Sequence, residues 1–178
     1  MTHRLFVAIR PPEDVRDMLI DTMEGVDGAR WQDEEQLHLT LHFVGDCDRH
    51  EANDLAQALE SVHCPPFDLK LDGVGQFERK GMVHTVFAGV APDPGLKRLQ
   101  RAVEHRCRTV VDNERHRKYL PHVTIARANR STAPFDSWIL RHSALSSRVF
   151  TVDSFALYES HLDPVGARYE PVHRYALA

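Results

Sequence analysis

Leu5-Phe6-Val7-Ala8-Ile9 is an unbroken apolar run that ends at Arg10-Pro11-Pro12, where two prolines in succession remove the backbone donors a strand would need. Beyond it Val15, Met18, Leu19 and Met23 recur at helical spacing, so the opening predicts a strand followed by a helix. The same order returns next. Gln36 to Val44 predicts a strand closed by Gly45-Asp46, and Glu51 to Val62 predicts a helix with Ala52, Leu55, Ala56 and Leu59 on its apolar face. Phe67-Leu69-Leu71 and Met82 to Val90 alternate as extended segments around a turn at Glu78-Arg79-Lys80-Gly81. Gly95 to Val111 carries Leu96, Leu99, Val103 and Cys107 on one stripe and predicts the longest helix. Tyr119 to Arg127, Val149 to Tyr158 and Tyr169 to Leu177 predict three further strands.

Strands that neighbour one another in sequence favour antiparallel pairing, so the fold class is mixed α+β with largely antiparallel sheets. No Gly/Ser linker or low-complexity run divides the 178 residues. A single domain over residues 1–178, built of two lobes, is the expectation.

One tetrapeptide occurs twice. His38-Leu39-Thr40-Leu41 returns 84 positions further on as His122-Val123-Thr124-Ile125. In an extended strand His and Thr share one face while the two aliphatic residues enter the core. Two imidazoles can divide the work of acid and base, and two hydroxyls can donate to the oxygens of a phosphate between them. The pattern points to phosphoester chemistry without a metal, and the residues alone leave open which His is the acid. His42 has the parity of His38 and Thr40 and is expected to face substrate. Phe43 is a second candidate for substrate contact, through stacking on a base. Arg127 lies three positions after Thr124, where strict alternation sends it to the wrong face and only a bulge or the strand's end would bring its guanidinium to a phosphate.

A formal charge of -4 argues against a protein that coats nucleic acid with a basic surface, so any polyanion contact is local. Arg101, Arg106, Arg108, Arg115, Arg117 and Lys118 are either such a local strip or the solvated side of the long helix. Cys47, Cys64 and Cys107 form no CxxC pair and read as small buried hydrophobes in a reducing, cytoplasmic setting. The apolar run at the start is too short for a membrane span or a signal-peptide core. His38 and His42 lack a third metal ligand at a recognisable spacing, and there is no HExxH, nucleophile elbow, P-loop or dinucleotide fingerprint. The other histidines read as surface or structural.

The paired motifs, Arg4-Leu5-Phe6-Val7-Ala8-Ile9, Trp31, Gly73-Val74-Gly75-Gln76-Phe77, Pro121 to Arg127, Leu157-Tyr158-Glu159-Ser160 and Gly166-Ala167-Arg168-Tyr169 together resemble the 2H phosphoesterases. Within them, the chain is similar to the LigT-like RNA 2′,3′-cyclic phosphodiesterases over nearly its whole length. Phe87 and His42 depart from residues common at those positions. The resemblance implies a bilobal α+β fold with pseudo-two-fold symmetry, two antiparallel sheets flanking a central cleft, helices outside, and one motif per lobe. It implies hydrolysis of a 2′,3′-cyclic phosphate at RNA 3′ ends to a 2′-phosphate, with reversible 2′,5′ ligation as a laboratory reaction. His38 is then the proton donor and His122 the acceptor, while Thr40, Thr124 and Arg127 hold the phosphate, with no metal and no cofactor. A phosphodiesterase on small cyclic nucleotides and a non-catalytic RNA-end-binding module are the alternatives. A monomer is the expected state.

Overall fold

The computed structural model describes residues 1–112 and 117–178. Its strands are β1 (His3–Ile9), β2 (Arg30–Trp31), β3 (Leu39–Cys47), β4 (Phe67–Leu69), β5 (Leu71–Arg79), β6 (Met82–Val90), β7 (His122–Arg127), β8 (Phe150–Val152), β9 (Ser154–Asp163) and β10 (Gly166–Ala176). Helices are α1 (Glu13–Ile20), α2 (Arg49–Leu59), α3 (Pro94–Val110) and α4 (Asp136–Arg141), with a 3-10 turn at Glu34–Gln36. Local chemistry fixes the ends. Asp48 and Asp33 each close a capping box, with Glu51 and Gln36, and Asp93 caps α3 ahead of Pro94. Lys80 and Gly81 both have positive φ, as a two-residue turn between β5 and β6 needs.

All strand pairs are antiparallel. Strands β10-β9-β1-β3 form one half of the main sheet and β7-β6-β5 the other, with β2 on β7. The halves meet at a single residue pair, Leu39 with Val123, the buried aliphatic residue inside each repeated motif. With no other pair joining β3 to β7 among the described residues, the halves diverge and leave an opening between them. Strands β4 and β8 form a separate two-stranded sheet.

The two faces of β1 separate core from cleft. Leu5, Val7 and Ile9 join the main core with Val15 and Leu19 of α1, Leu55 and Leu59 of α2, and Leu96, Leu99 and Val103 of α3. Phe6 and Ala8 point the other way and form a small cluster with Ala156 and Tyr158, covered by Tyr169. Helices therefore cover one face, and the other carries aromatic side chains beside the opening.

Several short elements were not legible in the hydrophobic pattern: β2, the 3-10 turn and α4. Helix α4 is held by tertiary packing, since Trp138 is fully buried and its indole N–H donates to the Thr22 carbonyl at 2.7 Å. The expected strand from Val149 to Tyr158 is broken at Asp153 into β8 and β9, which belong to different sheets. The segment Phe67-Leu69-Leu71 divides likewise between β4 and β5.

Candidate active site

The antiparallel register about Leu39 and Val123 sets His38 alongside Thr124 and Thr40 alongside His122. The two motifs thus meet head to tail. Tyr119 ties them further, its hydroxyl donating to the Thr40 carbonyl at 2.8 Å. A cavity of about 320 Å³ opens here, and its wall includes His38, Thr40, Phe43, Thr124 and Arg127. His122 is at its margin: strand parity gives it the face of Thr124, but it is not part of the cavity wall.

Bulges decide which neighbours of the motifs reach the cleft. In β7, Phe87 pairs with Thr124 and Val86 with Ala126, so Ile125 is an extra residue and the alternation is reset. Arg127 consequently comes onto the face of Thr124 and lines the cavity, which strict alternation would forbid. In β3 the same device has the opposite effect. Ala8 pairs with Thr40 but Val7 pairs with His42, leaving Leu41 extra. His42 is therefore turned to the face of Val7, beside Glu104 and Arg108 of α3, with its Nε2 buried and unpartnered. The expectation that His42 contacts substrate is corrected by this bulge. The same bulge sets Phe43 opposite Phe6 and brings it to the cleft, and a second shift, at Val44, lies beyond it.

Each catalytic candidate sits in an aromatic surround drawn from its own half. His38 lies 4.5 Å from Tyr158, 5.8 Å from Tyr169 and 6.2 Å from Phe6, centroid to centroid. His122 lies 4.9 Å from Phe77 and 5.2 Å from Phe87. Gly75 makes room for the second of these: it pairs with Phe87, and a Cβ there would meet the Phe87 ring at 2.6 Å. Phe87 and Gly75 thus belong to the site through packing.

The surround controls protonation. Burial pushes the His38 pKa down to about 4, opposed by the nearby Gln36 backbone and assisted by Arg10 and Arg16. Neither ring nitrogen of His38 has a hydrogen bond of normal geometry. Burial also lowers the His122 pKa, opposed by the Leu120 carbonyl and assisted by Arg127. The His122 Nδ1 is 2.7 Å from that carbonyl, which can only accept, so Nδ1 carries the proton and Nε2 keeps its lone pair. Neither the Thr40 nor the Thr124 hydroxyl is engaged by a protein partner among the described residues, which leaves both free to donate to a ligand.

The sequence missed Arg4, Gln32, Gln36 and Tyr169 as cleft residues. Gln36 had a signal in its spacing from Asp33; its amide also donates to the Ala167 carbonyl at 2.6 Å, anchoring β10 beside His38. Of the basic strip, Arg108 pairs with Glu104 at 2.6 Å, and Arg101, Arg106, Arg117 and Lys118 do not line the cleft. Arg115 lies outside the described residues. The three cysteines are free and buried, as expected, and burial pushes each thiol pKa up.

Residues 11–164 match the family model of the 2′-5′ RNA ligase superfamily. The chain belongs to that superfamily. Among relatives of this superfamily member, an RNA 2′,3′-cyclic phosphodiesterase from Thermus thermophilus is 30% identical over 186 residues, covering 98% of this chain and 90% of the relative. Another of the same name, from Geobacillus stearothermophilus, is 32% identical over 149 residues; these are 83% of this chain and 47% of the relative, about half its length. The solved structure of Escherichia coli LigT complexed with 3′-AMP has a TM-score of 0.76 at 26% identity, covering 99% of this chain and 98% of LigT. The bilobal α+β architecture expected of a 2H phosphoesterase is the one this superfamily member has. No helix among its described residues is long and apolar enough to cross a membrane.

Proposed function

We propose that this protein hydrolyses the 2′,3′-cyclic phosphate at RNA 3′ ends to a 2′-phosphate, by acid-base catalysis from His38 and His122 within a single bilobal unit. The observation that supports the reading is the Leu39 to Val123 pair, which brings the two motifs together at one opening walled by His38, Thr40 and Thr124, with His122 at its margin. Relatives of the superfamily named as RNA 2′,3′-cyclic phosphodiesterases supply the substrate class. Both histidines come from one chain, so a monomer suffices.

His122 is the base. Its Nε2 lone pair accepts a proton from water as the water attacks phosphorus in line with the departing O3′. His38 is the acid and protonates O3′. Thr40, Thr124 and Arg127 donate to the non-bridging oxygens, whose charge grows in the five-coordinate transition state. Phe43, half exposed at the cleft wall, offers a ring to the terminal base.

His38 must be charged to act, although burial favours its neutral form. A phosphate charge ~4 Å away, at an effective dielectric of about 20, is worth about 4 kcal/mol, and a pKa unit is about 1.4 kcal/mol. The bound substrate therefore returns His38 to the neutral range, while Arg127 offsets the same charge at His122. Since kcat/KM reports the free enzyme, its optimum is expected on the acid side of the kcat optimum, with kcat/KM already declining at neutral pH. Coincident profiles would contradict substrate-induced protonation.

The reading is tested by incubating a short RNA ending in a 2′,3′-cyclic phosphate with the protein in EDTA and separating 2′- from 3′-phosphate products. The 2′-phosphate is expected, undiminished by EDTA. A 3′-phosphate would refute the assigned regiochemistry, and loss of turnover in EDTA would refute metal independence.

A further inference from the structure

Beside the cleft lies a second cavity of about 360 Å³, walled in part by Arg10, Arg16, Arg174, Asp153 and Tyr158. Its wall includes Ala8, Ala156 and Tyr158, on the face of β1 and β9 that borders the catalytic opening. Thr40 pairs with Ala8, Ala8 with Ala156, and Ala156 with Arg174, so a single row of side chains runs from the first motif across four strands to Arg174. At about 4.8 Å per strand this row is about 14 Å long at the backbone. Tyr158 stands between the two openings, in the wall of the second and in ring contact with His38. Arg10 and Arg16 are near enough to His38 for their charges to act on it.

The chemistry of the pocket is that of an anion site. Arg10 and Arg174 are exposed and have no ion pair among the described residues. Arg16 is fixed in place, its Nη atoms donating to the Pro11 carbonyl and to Glu34, while its Nε–H is buried with no protein partner among the described residues. Three guanidinium groups thus line a pocket with one carboxylate, Asp153, in its wall; Arg16 is paired with Glu34 outside it, which leaves Arg10 and Arg174 as the uncompensated cations on a protein whose net charge is -4. Guanidinium forks match phosphate oxygens, and charged grooves of this kind follow a single-stranded backbone.

We infer that the pocket of Arg10, Arg16 and Arg174 is a second phosphate subsite, which takes an internal phosphodiester of the single-stranded RNA whose cyclic end occupies the catalytic opening. The inference rests on the RNA-end reading and deepens it. The subsite makes the enzyme prefer an oligonucleotide over a mononucleoside 2′,3′-cyclic phosphate, because only the oligonucleotide has a phosphodiester to place there.

Two measurements test it. In the first, kcat/KM is determined for a tetranucleotide and for a mononucleotide, both ending in a 2′,3′-cyclic phosphate, with wild type, Arg174→Gln and Arg10→Gln/Arg174→Gln. The oligonucleotide-to-mononucleotide ratio is expected to fall roughly fivefold to tenfold in Arg174→Gln and further in the double variant. Thr40→Val, which touches the catalytic opening, should lower both substrates and leave the ratio near wild type. The second measurement is equilibrium binding of the tetranucleotide 2′-phosphate against salt, which needs no turnover. The magnitude of the slope of log K against log salt is expected to fall by about 0.7 for each phosphate deprived of its guanidinium partner. A wild-type ratio and slope in the double variant would overturn the subsite even if cyclic-phosphate hydrolysis stands. Absence of hydrolysis with the slope still reduced would refute the catalytic reading and leave the RNA subsite in place.

Discussion

Replacing either His38 or His122 with Ala is expected to reduce turnover of a cyclic-phosphate RNA by about 10² to 10⁴-fold while leaving the fold intact. The two rings sit in different halves of the sheet, each against its own aromatic residues, so neither can take over the other's role. The double variant should be little slower than the worse single one, because acid and base act in one step and their effects do not add. Thermal unfolding of His38→Ala should not fall below wild type by more than the removal of the ring's packing explains. His38 makes no hydrogen bond of normal geometry and is held neutral at the expense of its own pKa. Steady-state rates with a circular-dichroism melt check both points, and full activity in either single variant would contradict the two-histidine account.

Thr40→Val and Thr124→Val are expected to lower kcat by about 10²-fold each, the scale of removing one donor to an oxyanion. Valine preserves the shape and strand preference of threonine, so β3 and β7 should keep their pairing at Leu39 and Val123. The loss should fall mainly on kcat, because the hydroxyls meet an oxygen whose charge increases only as the transition state forms. Thr→Ser at either position should recover most of the rate. A variant that raises KM with kcat unchanged would assign the threonine to ground-state binding instead.

Much of this site was legible in the sequence because the repeat itself carries the geometry. His38 and Thr40, like His122 and Thr124, were placed on one face by alternation, and alternation holds within each tetrapeptide. It fails just outside them. The bulge at Ile125 brings Arg127 to the cleft, and the bulge at Leu41 takes His42 away from it. A bulge is settled by the partner strand, here β6 for Ile125 and β1 for Leu41, so a single chain of residues read in order does not reveal it. Tyr158 and Tyr169 were hidden for a related reason. Their strands follow the first motif by more than a hundred residues, and the pairings of β9 with β1 and of β10 with β9 set them around His38. Helix α4 and strand β2 were invisible because each is too short to show a period and owes its form to packing around Trp138 and Trp31.

The central claim is that His38 delivers the proton to O3′ and His122 removes one from water. A cyclic phosphate in which sulfur replaces O3′ tests it most directly, because a thiolate, with a pKa of about 8.5 for a simple thiol, leaves without a proton. The account predicts that this substrate restores hydrolysis by His38→Ala to near the wild-type rate and does nothing for His122→Ala. Rescue of His122→Ala instead would reverse the two roles, and rescue of neither would remove proton donation from the mechanism.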